Sequence, residues 1–267
     1  MMRMRTIVAF ALCVLAAAWS SYAGDASHVF TVGEKIGYQL HARGLYMGTQ
    51  TMELEAVTQF QERDVYVLRG LSSSSRFMSM FFPVNDKWLV YMDREKLVPL
   101  RLEKDMHEGK KRAFLVYHID QDNKRVVFEN ETTGSRDEKE AAHQVFDLFT
   151  VTYFYRQFPE QFDDVFTFEF LEERNIKTVQ FRNEGKVMVK VITISNKKKI
   201  PAYKIKQVGG IGIEIYMSTD ELRLPLKIVT PARLKRGRKL DVEMSLDKYD
   251  PGESQADVPE QYRDLSF

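Results

Sequence analysis

The sequence predicts a mainly β protein: one strongly curved antiparallel sheet or open barrel, with a single central helix packed in its concave face. Three observations carry this. Apolar and polar residues alternate with a period of two along most of the chain, turn-forming residues separate the alternating runs, and one internal stretch carries apolar residues at helical spacing.

Residues 1–23 read as a secretory signal peptide, with Arg3 and Arg5 as a charged start, Ile7 to Trp19 as an apolar stretch and Ser21-Tyr22-Ala23 as a small-residue cleavage pattern. The apolar stretch falls short of the about 20 residues a membrane span needs. The expectation is therefore an exported chain beginning near Gly24, not an integral membrane protein, working in the periplasm or secreted. Cys13, the one cysteine, lies inside that stretch. Disulfides, thiolate metal sites and cysteine nucleophiles are thereby excluded from the rest, and Leu12 before Cys13 does not fit lipid attachment. The remaining chain divides into a single sheet domain over 24–250 and a C-terminal tail over 251–267. Without Arg3 and Arg5 it has 37 basic and 38 acidic side chains, a balance that argues against a nucleic-acid partner.

Ile36, Tyr38 and Leu40 alternate with polar neighbours, as do Met52, Leu54 and Ala56; Phe166, Phe168 and Phe170; Ile213, Ile215 and Met217; and Leu240, Val242, Met244 and Leu246. Arg43-Gly44, Glu108-Gly109, Asp122-Asn123, Asn183-Glu184-Gly185 and Lys235-Arg236-Gly237 sit between runs, where hairpins need residues tolerant of positive φ. Between Glu138 and Gln157 the spacing changes. Ala142, Val145, Phe149 and Tyr153 form one stripe, Asp137, Glu138 and Glu140 suit a helix N-terminus, and Pro159 stops the element. A helix apolar on nearly every side is buried, and the hollow of a curved sheet is where it fits.

Several stretches resemble the domain of unknown function 3108 (DUF3108) family: Gly33-Glu34-Lys35-Ile36-Gly37-Tyr38, Gly44 and Met47-Gly48, Leu97-Val98-Pro99-Leu100 ahead of Gly109-Lys110, Phe146-Asp147-Leu148-Phe149, and Met217-Ser218-Thr219-Asp220 with Leu224-Pro225-Leu226. The resemblance spans Phe30 to Leu246. It implies an exported bacterial protein with a curved antiparallel sheet, related in outline to lipoprotein carriers, and supplies no catalytic residues. Tyr155-Arg156-Gln157-Phe158-Pro159 matches the family's turn after the helix only loosely.

No constellation for catalysis emerges, and the expectation is a protein that is not an enzyme and uses no cofactor or metal. No two of the histidines lie within four residues of each other, so no local zinc signature exists. His143 and Asp147 would share a helix face at i, i+4, as a catalytic pair or as a polar packing contact. Ser72 to Ser75 lack a nucleophile elbow and read as a polar loop. Gly209-Gly210-Ile211-Gly212 lacks the phosphate-loop pattern and reads as a bulge or bent strand. Acidic doublets such as Glu172-Glu173 and Asp163-Asp164 read as solvated turns.

Binding is the remaining class. Phe77, Phe81, Trp88 and Tyr91, in a Met-rich stretch, and Phe149 and Tyr153 on the helix would line a cavity for a lipid or other apolar envelope ligand, though the same residues also suit a plain core. Lys197-Lys198-Lys199 and Arg233 to Lys239 would gather on one rim, where Arg236 and Arg238 would meet an anionic head group, or would simply keep hairpin tips soluble. The alternative is an interaction protein holding an envelope protein or a cell-wall glycan without a small ligand.

Overall fold

The computed structural model describes residues 29–192, 197–210, 212–233, 239–253, 258–265 and 267. Strands β1 (Glu34–Ala42), β2 (Leu45–Phe60), β3 (Arg63–Ser74), β4 (Asn85–Asp93), β5 (Pro99–Glu108), β6 (Lys111–Asp120), β7 (Arg125–Asn130) and β8 (Ser135–Glu140) follow one another as an antiparallel meander, with a four-residue helix α1 (Arg76–Ser79) between β3 and β4. After β9 (Val145–Phe146) and helix α2 (Leu148–Gln157), a second meander runs through β10 (Phe166–Glu172), β11 (Asn175–Ile192), β12 (Lys197–Gln207), β13 (Glu214–Ser218), β14 (Pro225–Arg233) and β15 (Lys239–Pro251). The two join because β1 pairs with β15, from Glu34 opposite Pro251 to Ala42 opposite Val242. Among the described residues one fifteen-strand sheet results, with β8 and β9 as its edges. β9 lies parallel to β10, and every other pairing is antiparallel.

The edges curl toward each other. Gln121, in the β6–β7 turn, accepts from the Val145 amide (3.0 Å) and donates to the Val145 carbonyl (2.9 Å) and to Pro99 (2.8 Å). One side-chain amide thus satisfies a backbone edge that would otherwise be left bare.

Alternation puts one face of each strand inside. On β4, Trp88, Val90 and Met92 are buried beside Ile36, Tyr38, Met52, Leu54 and Leu68 from β1, β2 and β3, and α2 brings Val151, Tyr153, Phe154 and Tyr155 into the same core. The α2 ring system continues through Phe146, Phe162, Phe166 and Phe168 at centroid distances of 4.8 to 6.4 Å. Gly70 opens the hollow further. A Cβ there would lie 1.7 Å from the Trp88 ring, so only glycine lets Trp88 lie flat across β3 and stack on Phe149 at 4.3 Å. At the far end residues 258–265, within the stretch read as a tail, return to the core: Tyr262 and Leu265 are buried, and Tyr262 donates to Asp220.

Six expectations need correction. The helix starts at Leu148, not Glu138. Residues 135–140 contain no apolar side chain and form the edge strand β8, whose charges pair locally as Arg125–Glu138 (3.4 Å) and Lys139–Asp137 (3.0 Å). The N-cap is Asp147, accepting from Phe149 N (2.8 Å) and Thr150 N (3.3 Å), so His143, exposed between β8 and β9, shares no helix face with it. Asn183-Glu184-Gly185 is a bulge within β11, whose register shifts between Asn183 and Lys186. Gly209, Gly210 and Gly212, all at positive φ, belong to the β12–β13 connection, held by Gln207, which accepts from Gly212 N (3.0 Å) and Ile213 N (3.2 Å). Finally, Ser72 to Ser74 end β3 and Ser75 caps α1, and the registers of β11 to β15 place residues 197–199 at the opposite end of the sheet from the β14–β15 connection.

Candidate functional site

Two internal sites come from the inward faces of the strands. The first is polar and sealed. Arg156, fully buried near the end of α2, donates from Nη1 to Glu34 Oε1 and from Nη2 to Glu34 Oε2, both at 2.7 Å, and from Nε to the Leu222 carbonyl at 3.0 Å. Tyr153 Oη donates to the same carboxylate at 3.1 Å, and the guanidinium lies 5.2 Å from the centroids of Phe30 and Tyr153. Burial alone would lower the Arg156 pKa, but the Glu34 charge and hydrogen bonds outweigh it and the net direction is up. Tyr38 Oη lies in this region without a hydrogen-bond partner among the described residues, and burial holds its proton on. With each nitrogen of the fork directed at a protein acceptor, Nη2 also donating to the Val29 carbonyl at 2.9 Å, this cluster locks β1, α2 and the β13–β14 turn together.

The second is an apolar cleft at the seam where the curled sheet closes on itself, between β5 and β6 on one side and β10 on the other. The register sets Leu102 opposite Tyr117, Lys104 opposite Leu115 and Met106 opposite Ala113, so these side chains of β5 and β6 share the inner face. Opposite stands Leu171 of β10, and the β10–β11 turn adds Glu173 and Arg174. The space measures about 300 Å³, at the lower end of the range for small-molecule sites. Its walls are mainly apolar with Tyr117, Asn130 and Lys104 among them, Lys111, Glu173 and Arg174 are exposed beside it, and the buried Asp147 reaches it from the α2 cap. Desolvation raises the Asp147 pKa against the opposing hydrogen bonds from Thr150 and Phe149. Burial, and then the charge of Glu173, push Tyr117 up to about 12, so its hydroxyl stays neutral.

The residues proposed from sequence as ligand contacts are dispersed. Trp88, Phe149 and Tyr153 meet, but as filled core: the Trp88–Phe149 stack and the Tyr153–Glu34 bond occupy the space between helix and sheet. Tyr91 points to the opposite face of β4 and stacks on Phe60 at 5.2 Å. Phe77 and Phe81 are exposed around α1, edge to face at 5.4 Å. Arg236 and Arg238 lie outside the described residues. Sequence reading missed Leu102, Leu115 and Leu171, whose alternation resembles any core strand; the signal that was available is Lys104 and Lys111 breaking the inward face of β5 and the start of β6.

Among the described residues, no group of three or more His, Cys, Asp or Glu side chains converges on a metal-sized site. No described helix is long and apolar enough to cross a membrane.

Comparison with known proteins agrees with this architecture. The family model described as protein of unknown function DUF3108 matches residues 37–243. No curated protein matches the chain. Among solved structures, a β-barrel-like protein of domain of unknown function DUF1849 from Brucella abortus is similar with a TM-score of 0.56 at 9% identity, over 84% of this chain and 99% of that one. A putative exported protein with a YmcC-like fold from Bacteroides fragilis reaches a TM-score of 0.34 at 7% identity, over 83% and 97% of the two chains. The first likeness establishes the barrel-like fold.

Proposed function

This chain belongs to the DUF3108 family, and we propose that it binds one amphiphile of the cell envelope, with the apolar tail in the seam cleft and an anionic head group at Lys111 and Arg174. The reading is of a carrier or sensor rather than an enzyme, in the periplasm, where the leader pattern of residues 1–23 would deliver it. One observation carries it: Leu102, Met106, Ala113, Leu115, Tyr117 and Leu171 line open space with cations beside it, whereas the space between α2 and the sheet is packed. Asp147 gives its acceptors to the α2 amides and the Thr150 hydroxyl, which favours binding over acid–base chemistry there.

Titration with a fluorescent fatty acid, together with native mass spectrometry of the purified protein, tests this. Ala113→Trp fills the cleft and should raise Kd about tenfold or more, a loss of about 1.4 kcal/mol. Lys111→Glu with Arg174→Glu should weaken binding of an anionic amphiphile while leaving the melting temperature nearly unchanged, since exposed charges contribute little to folding. Wild-type protein that carries no lipid and takes up no fatty acid would overturn the reading in favour of an envelope protein or glycan partner.

A further inference from the structure

Among the described residues, most of the large exposed apolar side chains gather at one end of the barrel. In and after α1, Phe77 is 61%, Met80 77%, Phe81 70% and Phe82 50% exposed, and Leu45 and Tyr46 are exposed at the start of neighbouring β2. This projection is firmly held. Ser75 caps α1 by accepting from Met78 N (3.2 Å) and donates from its own amide to Met47 O (2.7 Å). Ser74 Oγ accepts from Val84 N (2.9 Å), and Pro83 O accepts from Gly109 N (2.7 Å). Phe82 lies so close over Gly109 that a Cβ there would come within 2.9 Å of its ring. A segment this well anchored displays its aromatic side chains as part of the fold.

The surrounding charge selects the partner. Arg76 opens α1, and Lys110, Lys111 and Arg112 follow Gly109 at the tip of the β5–β6 hairpin, all exposed; Arg112 Nη1 donates to the Gly109 carbonyl at 3.0 Å. Two of the nearby acids are engaged, Asp86 with Lys104 (3.0 Å) and the His107 amide (2.8 Å), and Glu108 with Lys104 (3.4 Å). A convex aromatic and methionine tip ringed by cations matches a bilayer surface, in which rings sit at head-group depth and cations meet lipid phosphates. We propose that this end of the barrel docks on anionic membrane surfaces by inserting Phe77, Met80 and Phe81, with Arg76 and Lys110 on the head groups. Lys111 belongs both to this tip and to the cleft lining, so a docked protein holds the cleft beside the bilayer; the docking itself does not require the cleft to be filled.

Co-sedimentation with vesicles of phosphatidylglycerol and phosphatidylcholine, against pure phosphatidylcholine, decides it. The protein should bind the anionic vesicles, and less so as salt rises. Phe77→Ser with Phe81→Ser should lower partitioning about tenfold or more on both vesicle types. Arg76→Glu with Lys110→Glu should lower it on the anionic vesicles only, and Met188→Ser, at an exposed site on β11, should leave it unchanged, all with wild-type melting curves. Ala113→Trp should still sediment, which separates docking from cleft binding. The inference is overturned if wild type stays in the supernatant, if the double serine variant binds as well as wild type, or if sedimentation velocity shows the patch joining two copies of the chain in place of meeting lipid.

Discussion

Arg156 has no exposed atom, yet a guanidinium is among the costliest groups to remove from water. The position is stable because the fork meets both Glu34 oxygens and two backbone carbonyls, Leu222 and Val29. Deleting one partner leaves the other buried and uncompensated, so Arg156→Met should cost about 3–5 kcal/mol in denaturant melts. Pairing it with Glu34→Leu should recover part of that loss, although Tyr153 then forfeits its acceptor. A double variant no more stable than the single one would mean that the pair is held by packing and not by charge. The sequence contained a signal for this site: Arg156 lies three residues after Tyr153 in a helix with almost no other charge, which places it on the buried face. Glu34 could not be found the same way, since 122 residues separate the partners and nothing local marks an acidic residue at the start of a strand as buried.

At the scale of elements, the period-two alternation was legible because most strands have one buried face, and α2 was legible because its apolar residues fall at helical spacing on nearly every side. The start of α2 was not legible. Ala142 and Val145 fit a helical stripe as well as they fit a short strand leading into a cap, and the acidic residues of 137–140, which suit a helix N-terminus, here blunt the edge strand β8. The bulge at Asn183 to Gly185 was hidden for a related reason: the same residue types make hairpin turns and bulges. The cleft escaped because an inward-facing strand residue reads the same whether it meets a neighbour or open space. Packing of α2 against β4 is testable at Phe149, whose ring stacks on Trp88 at an interplanar angle of 10°. Phe149 is half-buried against the core, so Phe149→Ala should cost about 2–3 kcal/mol, below the about 3–5 kcal/mol usual for a fully buried ring. A loss below about 1 kcal/mol would place Phe149 at the margin of that core.

For the whole molecule the decisive pairing is β1 with β15, the one ladder that turns two meanders into a single sheet. All other strand neighbours within each meander follow directly in sequence, so each half has local partners, but neither has a closed core without the other. A chain ending at Arg233 should therefore show no cooperative thermal melt and rapid proteolysis, even though most of the core residues are still present. A sharp melting transition in that fragment would show the first meander to be autonomous.

The same pairing sets a clock. Contacts such as Thr31 with Pro251 join positions 220 residues apart, and closing so long a loop must precede the gain from the contacts it permits. Folding should be slow, and it cannot finish until the last strand is available. A polypeptide made from one end therefore stays threadable until its synthesis or passage is complete, the condition that transport across a membrane in an extended form imposes.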